Sequence, residues 1–75
     1  MVSLPQLESG RMAKLKLVDR ASHCYARFLE LGFTEGEEIR ILRKAPLGGP
    51  LHVEIRDAQY AICRSDAEFI KVENL

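Results

Sequence analysis

Period-two alternation of apolar and polar residues recurs in four separate stretches of this chain, and it commits the chain to a β-rich fold. Between Met12 and Val18, Ala13, Leu15 and Leu17 alternate with Lys14 and Lys16. From Glu38 to Ala45, Ile39 and Ile41 alternate with Arg40, and Leu42 breaks the pattern, which marks a bulge or a strand buried on both sides. Leu51, Val53 and Ile55 alternate with His52, Glu54 and Arg56, and Ile70 and Val72 share one side of Phe69 to Glu73. Gln59 to Cys63 is read as the fourth strand, which makes a hairpin with the third through a tight turn at Asp57-Ala58, so that Phe69 to Glu73 is the fifth.

One stretch has the period of a helix instead. Cys24, Phe28 and Leu31 are spaced to share a face, Tyr25 and Leu29 widen the stripe, and a helix is predicted over about 23–31. Ser22 is placed as its N-cap, because a hydroxyl there accepts a free backbone N–H of the first turn. Gly32 stands where a left-handed C-cap belongs, and Phe33 follows as the apolar residue of a Schellman ending. Ser65 and Glu68 have capping-box spacing, which predicts a helical turn at about 65–68. Leu4 and Leu7 are placed over one end of the sheet.

The expected architecture is mostly β: a small SH3-like barrel of about five strands, with the helix inserted in its first long loop. Closure, or near closure, removes the sheet edges that a small β domain must otherwise protect. The chain has 75 residues and reads as one domain over 1–75. A domain of this size buries only roughly 60–65% of its unfolded surface, so it has one thin core and little room for a deep pocket.

Charge is balanced, with 11 basic and 11 acidic residues, which argues against a nucleic-acid partner held by phosphate neutralisation. Arg40, Arg43 and Lys44 are read as a solvated strand face. No stretch approaches the ~18 apolar residues of a membrane span, and Met1 to Gly10 lacks the pattern of a secretory signal. A cytoplasmic location is expected. Two cysteines, Cys24 and Cys63, are too few for a disulfide scaffold and are read as reduced thiols. Cys24 and His23 lack a third orienting group, and Gly48-Gly49 is not part of a phosphate loop, so the chain is not expected to be an enzyme.

The most distinctive loop is Pro46-Leu47-Gly48-Gly49-Pro50. Prolines fix φ at its ends, the two glycines inside it can take positive φ, and the apolar Leu47 is held between them. Such a stiffened loop presents Leu47 to a partner at low ordering cost. The same residues also serve a tight crossover that needs Gly and Pro for geometry alone. Leu29 is a second candidate contact, facing outward or into the core according to the helix rotation. His23, Cys24, His52, Glu54 and Cys63 are the borderline metal ligands present. His23 and Cys24, as neighbours on a helix, point in different directions, so they define no closed four-ligand zinc shell. No cofactor is expected.

Arg27-Phe28-Leu29-Glu30-Leu31-Gly32-Phe33-Thr34-Glu35-Gly36 resembles the signature segment of the ferrous iron transport protein A family, FeoA. Ala45-Pro46-Leu47-Gly48-Gly49-Pro50 resembles the A-P-L-G-D-P loop of that family, with Gly49 where Asp is usual. Ala61, Ala67, Ile70, Val72 and Glu73 echo its C-terminal pattern, so the resemblance runs from about Leu4 to Glu73. Asp57 replaces a common hairpin Gly, and Cys63 a frequent Arg. The same domain is found at the C-terminus of iron-dependent repressors. The absence of an appended DNA-binding domain in this sequence favours the transport protein. The resemblance implies an accessory protein of bacterial ferrous iron uptake whose partner is the membrane transporter FeoB, which carries a cytosolic GTPase domain. Membrane association would then run only through that partner, and the chain is expected to be a monomer or weak dimer.

Two other readings compete. One is a metal-sensing module that binds ferrous iron or zinc through the histidines and cysteines. The other is an RNA-binding barrel, since Glu35-Gly36-Glu37-Glu38-Ile39-Arg40-Ile41 loosely matches the opening of a KOW-type module.

Overall fold

The computed structural model describes all residues, 1–75. Its strands are β1 (Val2–Ser3), β2 (Met12–Val18), β3 (Glu38–Lys44), β4 (Leu51–Ile55), β5 (Ala58–Ile62) and β6 (Ile70–Asn74). A 3-10 turn (Leu4–Gln6) follows β1, helix α1 (Tyr25–Glu30) lies between β2 and β3, and helix α2 (Arg64–Ala67) between β5 and β6. The strands form one antiparallel sheet in the order β1-β6-β2-β3-β4-β5, so β6 inserts between β1 and β2. Six strands are present where the alternation predicts five, because β1 is only two residues long and shows no period.

Two irregularities bend this sheet. Between Ile41 and Arg43 the β3–β4 register shifts, so the break in alternation at Leu42 is a bulge. A second shift separates Leu15 from Leu17 where β2 pairs with β6. It turns Leu17 outward, to 42% exposure, and brings Val18 into the core, contrary to the strict alternation of the sequence. Bulges of this kind increase local twist and let a single sheet wrap around its own apolar face.

The core is a cluster of 16 buried residues, most of them from the inward positions of the strands. Leu15, Ile39, Ile41, Leu51, Val53, Ile55, Ile70 and Val72 are all essentially inaccessible. Leu4 and Leu7 seal one side, where the 3-10 turn packs against α2 and β6. Phe28 and Phe33 close another. Their rings stand 5.3 Å apart, and Phe33 meets Tyr60 edge-on at 5.5 Å. The Tyr60 hydroxyl donates to the Leu31 carbonyl at 3.2 Å, which ties the end of α1 to β5.

Helix α1 ends as its sequence predicts. Gly32 has φ +101°, its N–H donates to the Leu29 carbonyl, and the Phe33 N–H donates to the Phe28 carbonyl, the paired bonds of a Schellman motif. Its beginning differs. The Ser22 hydroxyl accepts the Cys24 N–H at 3.0 Å, forming a local serine turn that competes with the helix. The helix therefore starts at Tyr25, with Cys24 rather than Ser22 at the N-cap position. At α2 the N-cap is Cys63, without a side-chain bond, so Ser65 and Glu68 form no capping box. A comparable bond forms near the start of the chain, where Gln6 Oε1 accepts the Ser3 N–H at 3.0 Å.

Candidate functional site

The Pro46–Pro50 loop projects from the β3–β4 connection. The Ala45 N–H donates to the Pro50 carbonyl at 3.0 Å across its base, and the Gly49 N–H to the Pro46 carbonyl at 3.1 Å across its tip. Leu47 (φ +59°) and Gly48 (φ +74°) are both left-handed, the φ signs of a type I′ turn. Glycine takes that conformation freely, whereas leucine pays about 1–2 kcal/mol for it. Leu47 is nevertheless fully exposed. Gly49 is needed for space, since a Cβ there would sit 2.8 Å from the Ala45 Cβ. The Asp usual in the related loop does not fit this backbone without a shift.

Leu29 lies on the outer side of α1 with 38% exposure. It lines a shallow depression with Leu17, Tyr25 and Phe33, rimmed by Lys16 and Arg20. The Arg20 guanidinium stands over the Tyr25 ring at 5.7 Å. Leu17 was hidden from sequence reasoning by the bulge that turns it outward. The basic residues of β3 do not form one patch: Arg40 and Arg43 are exposed, but Lys44 is half-buried and donates to the Pro5 carbonyl at 2.8 Å.

A second groove runs between α1, β5 and α2, lined by Cys24, Phe28, Leu31, Ile62, Cys63 and Asp66 among others, with a volume of about 310 Å³. At its rim the ligand atoms of His23, Cys24 and Asp66 lie within 4.8 Å of one another. His23 Nε2 stands 3.7 Å from Asp66 Oδ1. Loss of its water shell pushes the Cys24 thiol pKa up, and the adjacent Asp66 carboxylate pushes it further, while Arg27 opposes both. His23 and Cys24 converge because they occupy the serine turn and not the helix, which corrects the expectation that they diverge. His52 and Glu54, on β4, are not in this cluster, and Cys63 lines the groove without joining the three. Asp66 was missed from the sequence, because only the packing of α2 beside α1 brings it there.

Glu37 and Arg56 form an ion pair at 2.5 Å between the start of β3 and the β4–β5 turn. The turn residues are Arg56 and Asp57, one position earlier than expected, and Arg56 has φ +56°. The hydrogen bond from Arg56 holds the Glu37 carboxyl below its usual range, against a smaller opposing effect of desolvation.

Residues 2–74 match the model of the FeoA domain family. The chain belongs to that family. It is 34% identical over 70 residues to a fusion of Fe(2+) transport protein A and the Fe(2+) transporter FeoB from Porphyromonas gingivalis. That match covers 93% of this chain but only 8% of the fusion protein. Among solved structures, the FeoA protein of Stenotrophomonas maltophilia in complex with zinc, a procaryotic SH3 domain protein, is 30% identical. The two superpose with a TM-score of 0.86 over 97% of this chain and 91% of that one. A manganese-dependent transcriptional repressor shares the fold alone, at 20% identity and a TM-score of 0.88, over 97% of this chain and 41% of the repressor. The SH3-like FeoA fold is thus established.

Proposed function

We propose that this FeoA domain, taking residues 1–75 as one unit, is a cytoplasmic accessory protein that binds the cytosolic side of FeoB and regulates ferrous iron uptake. The observation that carries this reading is the relative in which the same domain is fused to FeoB. Joining two modules in one chain raises their effective concentration to the millimolar range, which serves function only if they act together. The contact surface on this reading is the Pro46–Pro50 tip, with Leu29 as an outlying contact. A large apolar side chain held in a costly conformation, without packing in its own domain, fits a residue shaped for a partner.

Burying Leu47 at an interface contributes about 1.5–3 kcal/mol, or roughly tenfold to a hundredfold in affinity. The test is a pull-down against detergent-solubilised FeoB and its isolated cytosolic domain, with nucleotide and ferrous iron varied. Leu47→Asp, checked for an unchanged fold by circular dichroism, should lose binding by at least tenfold. Absence of binding by the unaltered domain under every condition would overturn the proposal. Equal binding by the variant would overturn the loop as its contact.

A further inference from the structure

The geometry points to a binding site for a borderline divalent cation, Zn²⁺ or Fe²⁺, formed by His23, Cys24 and Asp66 at the junction of α1 and α2. The three residues supply an imidazole, a thiol and a carboxylate, one ligand atom each, within 4.8 Å of one another. A tetrahedral ion with bonds of about 2.0–2.3 Å separates its ligand atoms by about 3.3–3.8 Å. The 3.7 Å between His23 Nε2 and Asp66 Oδ1 already satisfies that spacing. The remaining ligand pairs need a contraction of at most about 1.5 Å to reach the tetrahedral spacing. For the pair of His23 and Cys24 the histidine provides this readily, because its side chain is 81% exposed and free to turn.

The backbone favours the same conclusion. The serine turn at Ser22 holds His23 and Cys24 out of the helix, so their side chains approach one point. Asp66 enters from the first turn of α2. The three ligands thus join two elements distant in sequence, and an ion there would pin α1 against α2. The groove behind the cluster is walled by Phe28, Leu31 and Ile62, which lowers the local dielectric and strengthens the attraction between cation and ligands.

Ligand chemistry selects the ion. A thiol and an imidazole suit Zn²⁺ and Fe²⁺, whereas Mg²⁺ and Ca²⁺ prefer all-oxygen shells. On binding, the Cys24 thiol releases its proton to solvent and the sulfur–metal bond forms in its place. Three protein ligands leave the fourth position open to water or to an incoming group. Asp66 also belongs to helix α2, whose residues Arg64 and Ser65, with Glu68 just past its end, border Gly48, Gly49 and Pro50. The cation would therefore sit on the element that adjoins the loop assigned above to the partner. The site stands on these contacts alone and does not depend on FeoB binding.

The test is an anaerobic titration of the reduced protein with Co²⁺, read by the thiolate-to-cobalt charge-transfer absorption, followed by displacement with Zn²⁺ and competition with Fe²⁺. One equivalent of Co²⁺ should give the charge-transfer band, and Zn²⁺ should abolish it. Cys24→Ser should remove the band, and His23→Ala and Asp66→Asn should each weaken binding at least tenfold. Cys63→Ser and His52→Ala should bind within twofold of the unaltered protein. Amide spectra of each variant confirm that the fold persists. No charge-transfer band in the unaltered protein would overturn the site. So would a band that survives Cys24→Ser, one that is lost with Cys63→Ser, or affinity unchanged by His23→Ala or Asp66→Asn.

Discussion

Replacing Leu47 by asparagine should make the protein more stable, although leucine is the more hydrophobic residue. Leu47 is fully exposed, so its side chain contributes no burial that the substitution would remove. Its φ of +59° puts it in the left-handed region, which costs an L-residue about 1–2 kcal/mol. Asparagine enters that region several-fold more readily, because its short polar side chain bonds locally to the backbone. Asn-Gly is also the preferred pair at the centre of a type I′ turn, and Gly48 already fills the second place. The expected gain is roughly 0.5–1 kcal/mol, since asparagine relieves about half of the leucine penalty. For a domain of this length that is a rise of about 2–8 °C in Tm. Leu47→Val should move the other way by about 1 kcal/mol, as a β-branched residue is the least tolerant of positive φ. Both are read from thermal melts and urea midpoints. If the asparagine and valine variants melt together with the parent, Leu47 does not occupy the left-handed region and the strain argument fails. The informative combination is a stabilised asparagine variant that no longer binds FeoB.

Two further outcomes follow from single contacts. Gly49→Ala should destabilise the protein by about 1–2 kcal/mol in urea denaturation, because its methyl group would meet the Ala45 Cβ at 2.8 Å and the Pro46 carbonyl at 3.2 Å. The Glu37 carboxyl is depressed in the folded state by Arg56, so its pair contributes stability above the unfolded carboxyl value of about 4.3, and that contribution disappears as pH falls through the lower folded value. Glu37→Gln should therefore lower Tm at neutral pH and flatten its decline between pH 5 and the acid limb, with little difference from the parent at the lowest pH.

What could be read from the sequence follows the range of the interaction that decides each element. Strands β3, β4 and β6 and the Schellman ending of α1 are encoded in short patterns, and the structure keeps them within one or two residues. Leu42 announced its bulge because it interrupts an alternation. The bulge at Lys16 left no such trace, since Ala13, Leu15 and Leu17 alternate without fault and only the pairing with β6 turns Leu17 outward. The start of α1 was misplaced because the Ser22 hydroxyl satisfies a backbone N–H in two different motifs, and residue type alone does not choose between them. The Pro46–Pro50 loop was legible from its prolines and glycines, but not its tip, where Leu47 takes the positive φ expected of Gly49. Asp66 was not, because its neighbours in sequence carry no mark of the turn it meets in space.

The insertion of β6 between β1 and β2 also governs how the molecule comes into being. Ala13 pairs with Asn74, and Leu15 with Val72, so the middle of the sheet joins segments from opposite ends of the sequence. During synthesis the hairpins β3–β4 and β4–β5 can form as they emerge, and β2 can pair with β3, but Ala13 and Leu15 lack their β6 neighbours until residues 70–74 have left the ribosome. Core closure is thus a late, all-or-none event of the kind that slows folding of β-rich domains to milliseconds or longer. A ribosome stalled before Ile70 would hold an unfinished sheet with an open apolar seam, in reach of chaperones and proteases.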